Sequence, residues 1–121
     1  MIGKYDVSNT EKEILEYLWQ KGTTVKTGEL LEAFNANGKG WKPQTLNTLL
    51  LRLNEIGLVK RERGAVSAAY TQQEYERMVA KDILETAYSG KLSQFVAALT
   101  GGGSIEQEEY EELKQMLDEL K

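Results

Sequence analysis

Between positions 39 and 63 the sequence sets six basic residues, Lys39, Lys42, Arg52, Lys60, Arg61 and Arg63, against two acidic ones, Glu55 and Glu62. Gln44, Thr45, Asn47 and Thr48 stand among them, all amides or hydroxyls that can donate or accept hydrogen bonds. Cations interleaved with such side chains suit phosphate binding together with recognition of a polar surface, the chemistry of a nucleic-acid contact. A merely solvated charged face would have the same composition. Catalytic chemistry is poorly provided for. The chain has no cysteine and no histidine, so a thiolate nucleophile, a Ser-His-Asp arrangement and the usual zinc ligands are all absent. No Asp-rich calcium loop and no glycine-rich phosphate loop is present, and no metal or cofactor is expected. Gly101-Gly102-Gly103 follows an apolar helical stretch and reads as a connector.

The basic cluster is local. The 121 residues carry a net charge of −4. Positions 1–73 hold ten basic and eight acidic residues, whereas positions 74–121 hold five and eleven. This length suits one small domain with an appendage. No apolar run approaches the ~18 residues of a membrane span, and no apolar signal core opens the chain, so a cytoplasmic protein without a membrane partner is expected.

Helical periodicity supplies the elements that would carry the cluster. Ser8-Asn9-Thr10-Glu11 fits a capping box, and Ile14, Leu15, Leu18 and Trp19 follow at helical spacing up to Gly22. Thr23-Thr24-Val25 is long enough only for a bridge of strand. Thr27 is placed to cap a second helix burying Leu30, Leu31 and Phe34. Pro43 suits the first turn of a third helix, in which Leu46, Leu49, Leu50, Leu53 and Ile56 form one apolar stripe and Gly57 a left-handed end. Residues 58–63 and 65–71 read as a hairpin about Gly64, with Val66, Ala68 and Tyr70 facing inward. Three helices and a hairpin predict a mainly α fold with a small β-hairpin wing: a winged helix-turn-helix domain at 1–73, followed by a helical dimerisation region at 74–121.

In that second region Tyr75, Val79 and Ile83 share a helical face, Phe95 and Leu99 lie on a short amphipathic helix, and Tyr110, Leu113, Leu117 and Leu120 recur at heptad spacing after a capping box at Ser104. These acidic, apolar-striped helices predict a homodimer through those nine residues; folding back on the first domain is the alternative.

The thirteen residues Trp41-Lys42-Pro43-Gln44-Thr45-Leu46-Asn47-Thr48-Leu49-Leu50-Leu51-Arg52-Leu53 resemble the signature of the BlaI/MecI/CopY family of bacterial repressors, Trp-Ser-Pro-x-Thr-(Ile/Leu)-x-Thr-Leu-(Leu/Ile)-x-Arg-Leu. Lys42 replaces the serine, and the resemblance runs from Ser8 through Trp19 and Gly22 to the C-terminal helix. It implies a homodimer of winged helices that holds a palindromic promoter operator in double-stranded DNA and represses genes of β-lactam resistance or a related stress response. The third helix would enter the major groove. There Gln44 and Asn47 could pair with adenine edges and Leu51 touch a thymine methyl. Lys42, Thr45, Thr48 and Arg52 would contact phosphates, and Lys60, Arg61 and Arg63 would meet the flanking backbone from the wing. Trp41 is read as packing.

The departures carry information. Gln44 and Asn47 stand where relatives often have lysine, and arginine or glutamine, so base preference should follow these two side chains and the relatives' operator does not transfer. The cysteine pairs of the copper-responsive branch are absent. The resemblance also implies a sensor protease as partner, cutting an Asn-Phe bond in the β-lactam branch; the aligned pair here is Ala98-Leu99. A second reading, from Leu51 on the supposed groove face, is a winged helix that binds protein through Leu51 and the hairpin.

Overall fold

The computed structural model describes residues 5–101 together with 107, 108, 111, 112 and 115. Its first helix, α1 (Asn9–Lys21), begins where the sequence places a capping box. The Ser8 hydroxyl accepts from the Glu11 amide at 3.1 Å, and the Glu11 carboxylate accepts from the Ser8 amide at 2.9 Å. Gly22 ends the helix at φ 68°, a conformation that costs glycine little. A two-residue strand, β1 (Val25–Lys26), follows, then α2 (Thr27–Ala36) and α3 (Pro43–Glu55). Thr27 does not cap α2. Lys26 holds the cap position without a side-chain bond, and the Thr27 amide and hydroxyl both donate to the Gly64 carbonyl, at 2.9 and 3.3 Å.

The end of α3 is a complete Schellman motif. The Leu58 amide donates to the Leu53 carbonyl, the Gly57 amide donates to Asn54, and Gly57 sits at φ 82°. Leu53 and Leu58, the apolar pair such an end brings together, are both buried. The chain then turns directly into β2 (Val59–Glu62) and, through Arg63 and Gly64, into β3 (Ala65–Ala68). The sheet is antiparallel in the order β1-β3-β2, with Val25 opposite Val66 and Val59 opposite Ala68. Thus β1 is a full partner of the wing rather than a link. Val66 points inward and is fully buried, whereas Tyr70, expected inward, is 40% exposed because its segment has left the sheet.

The core draws Ile14, Leu15 and Leu18 from α1, Leu30 and Phe34 from α2, Leu46, Leu50 and Leu53 from α3, and Val25, Val59 and Val66 from the sheet. Leu49 and Ile56 pack partly buried at its edge. Phe34 carries Trp41 as a stacked ring at 4.9 Å, and the Asn35 amide bonds both the Trp41 amide and carbonyl, so Trp41 packs as expected.

The helix α4 (Gln72–Tyr88) starts on a second capping box, between Thr71 and Glu74. It runs without a break through the expected boundary at 73/74. Its first turns belong to the core just described: Tyr75 is 6% exposed, tilts against Trp19 at 5.4 Å and donates from its hydroxyl to the Tyr5 carbonyl, while Met78 and Val79 pack beside it. The first compact unit therefore extends through Asp82, and a second begins at Ile83 with the rest of α4 and α5 (Leu92–Gly101). Gly90, at φ 76°, closes the end of α4 by donating to the Leu84 carbonyl.

Leu50 is fully buried at the centre of the α3 stripe. Leu50→Ala is expected to cost about 3 kcal/mol through lost burial and the cavity it leaves. Denaturant unfolding of the full chain measures the loss.

Candidate nucleic-acid interface

The leucine stripe of α3 leaves the opposite side of that helix in solvent. Gln44, Thr45, Asn47, Thr48, Leu51, Arg52 and Glu55 are all exposed, Leu51 by 48%. Lys42 holds the cap position just before Pro43, where the free amides of the first turn favour an anion. From the wing, Lys60, Arg61 and Arg63 are exposed, since only Val59 of β2 turns into the core. Thr48 donates back to the Gln44 carbonyl at 3.0 Å.

Two of the six clustered cations already have acidic partners. Lys39 pairs with Glu13 at 3.1 Å. Arg52, expected to contact phosphate, spans from α3 to α1: it donates to Glu11 Oε1 at 2.6 Å and to the Asp6 carbonyl at 3.2 Å, with its side chain 49% exposed. The bond to Glu11 has a clear physical reason. The Glu11 side chain is almost wholly buried, and a buried carboxylate without a cation is costly. Among the described residues, Lys42, Lys60 and Arg63 have no acidic partner within ion-pair distance, so the positive charge open to a ligand lies at the start of α3 and on the wing.

Arg61 is engaged differently, by a neutral group: its Nη2 donates to Asn47 Oδ1 at 2.8 Å. Nothing in sequence spacing points to this link between the wing and α3. Asn47 and Arg61 border a hollow of about 380 Å³ between the start of α2 and α3. A further hollow of about 750 Å³ lies where α1, β3 and α4 meet, but Trp19 donates from its indole to the Tyr70 carbonyl and Glu74 is engaged by Thr71 there.

The expected subunit-contact residues fall in different places. Tyr75 and Val79 are built into the core of the first unit, Ile83 is 44% exposed, and Phe95 is partly buried within the second unit. The side chain of Leu99, and all of Tyr110, Leu113, Leu117, Leu120 and the capping box at Ser104, lie outside the described residues. Among the described residues no group of three or more acidic side chains is gathered as a metal site would require, and no helix is long and apolar enough to cross a membrane.

An exposed polar helix face next to a three-stranded wing defines a winged-helix protein. The sequence pattern of the penicillinase repressor family matches residues 7–119, so the chain belongs to that family of transcriptional repressors. It is similar to the penicillinase repressor of Bacillus licheniformis, 27% identical over 95% of this chain and 91% of the relative. It is also similar to the methicillin resistance regulatory protein MecI of Staphylococcus aureus strain N315, 24% identical over 94% of each chain, and to MecI of Mammaliicoccus sciuri, 23% identical over the same shares.

Burial alone pushes the Glu11 carboxyl pKa up, but the Ser8 amide, the Arg52 guanidinium and the Ser8 hydroxyl bring it below its ordinary value of 4.5. A carboxylate with a depressed folded-state pKa stabilises the fold above its unfolded pKa, and that contribution is lost as pH falls through the folded value. Glu11→Gln is therefore expected to lower stability by about 1–2 kcal/mol at neutral pH. The deficit should shrink below about pH 4.5. Thermal unfolding of both proteins across that range checks the sign.

Proposed function

We propose that this repressor acts as a homodimer holding a palindromic operator in double-stranded DNA, one α3 in the major groove of each half-site. One observation carries the reading: the solvent face of α3 offers amides and hydroxyls, flanked by Lys42 and by wing cations free of acidic partners among the described residues. Lys42, Lys60 and Arg63, with Thr45 and Thr48, would contact the backbone and set register, while Gln44, Asn47 and Leu51 face the bases. Arg52 is better employed holding α3 to α1.

The 44% exposure of Ile83 supports the second unit as the contact between two chains. With Tyr75 and Val79 occupied in the first unit, Ile83, Phe95 and Leu99, with Tyr110, Leu113, Leu117 and Leu120, remain the proposed subunit contacts. The relatives' names support control of β-lactam resistance or a related stress response, and a DNA target supports a cytoplasmic setting. A sensor protease would be the partner that relieves repression, acting in the dimer region that includes Ala98-Leu99.

Affinity for a fixed random-sequence duplex, measured by fluorescence anisotropy over a salt series, tests the reading. Steep weakening with salt is expected, and Lys42→Ala, Lys60→Ala and Arg63→Ala should each lower the slope of log K against log salt by about 1. A wild type without salt-dependent affinity would favour the second reading, a protein-binding surface around the exposed Leu51.

A further inference from the structure

The bond between Arg61 and Asn47 has a consequence for which base the α3 face prefers. A guanidinium carries only donors, so the oxygen of the asparagine amide must face it. The Nδ2 group, with its two donors, is then the end left for a ligand. Both side chains are exposed, and both line the same hollow beside α3.

An unengaged asparagine reads adenine by accepting from its 6-amino group while donating to N7. Here the accepting atom is held by a cation. An amino group brought to that oxygen, whether from adenine or cytosine, would also meet the guanidinium hydrogens. Guanine presents two acceptors, N7 and O6, to the major groove, and thymine presents only O4 beside its methyl. One lone pair of the Asn47 oxygen remains, but the guanidinium hydrogens beside it oppose an approaching amino group, so a pair of side chains offering mainly donors matches guanine best.

We propose that Asn47 and Arg61 form one specificity-determining pair, presenting mainly donors and selecting guanine at one position of each half-site. The inference rests on the operator-binding reading above. It makes Arg61 a base-selecting residue rather than a backbone clamp, and it replaces the expectation that Asn47 pairs with adenine. Arg61 also restrains Asn47 before DNA arrives, which reduces the ordering needed on binding.

Selection from a random duplex library, run with the full chain and with Arg61→Met and Asn47→Ala, tests the pair. Both positions are exposed, so these substitutions leave the core intact. The wild type should enrich guanine at one position per half-site. Arg61→Met, which releases the amide oxygen, should shift that position alone toward adenine, changing the guanine-to-adenine ratio by about tenfold. Asn47→Ala should relax preference at the same position. Unchanged preferences with a uniform loss of affinity in Arg61→Met would overturn the inference and leave Arg61 as a phosphate contact. Enrichment of adenine by the wild type at the position relaxed by Asn47→Ala would overturn it as well. If the wild type enriches no sequence and shows no salt-dependent duplex binding, the operator reading fails and this inference with it, an outcome distinct from the other two.

Discussion

The carboxylate of Glu11 is buried to within a few per cent, and the position of α3 depends on how that charge is satisfied. Its Oε1 accepts from the Ser8 amide and from Arg52, while Arg52 also reaches the Asp6 carbonyl. Glu11 thus completes the cap of α1 and ties α3 across 41 positions of sequence, while Arg52 also holds the segment before α1. Apolar contacts hold these helices together without fixing direction, since leucine meets leucine favourably in many registers. A short charge-assisted bond is geometrically demanding, and it favours one setting of α3 against α1. Among the described residues Glu11 Oε2 finds no partner, so the Ser8 amide and Arg52, both on Oε1, offset the burial of this charge.

That constraint sorts the basic residues into two roles. A count along the sequence treats Lys39, Lys42, Arg52, Lys60, Arg61 and Arg63 alike, whereas in the fold they separate by what each one meets. Lys39 and Arg52 neutralise glutamates of α1 and serve the structure. Lys42 and the wing cations are left for a ligand, and Arg61 is held in place by a neutral amide rather than by a counter-charge. A guanidinium bonded to an amide keeps its full charge and most of its donors, which makes it both oriented and available.

Much of this architecture was legible because it is written in local spacing. The capping box at Ser8, the stripe of α3, Pro43 and Gly57 each have a signature within one or two turns of helix, and the structure contains each as read. The box at Thr71-Glu74 carries the same signature and could have been read too. Partners far apart in sequence were not legible. Periodicity says that Tyr75 and Val79 bury a face, but not against what, and in the structure they meet Trp19 and the core of the same unit. A two-residue strand has no period, so the pairing of β1 with β3 left no trace in the sequence. Its place on the helix suggests a phosphate contact for Arg52, and local spacing marks Glu11 only as a cap. The family signature could not distinguish these roles.

The central claim is that DNA meets the face of α3 and the wing that Glu11 and Arg52 hold in place. It is tested most directly by following backbone amide NMR signals of the full chain while a DNA duplex is added. The account predicts perturbations concentrated at residues 42–51 and 60–64, with little change at the hollow around Trp19 and Tyr70. Perturbations centred on that hollow, or none at either place at low salt, would contradict it.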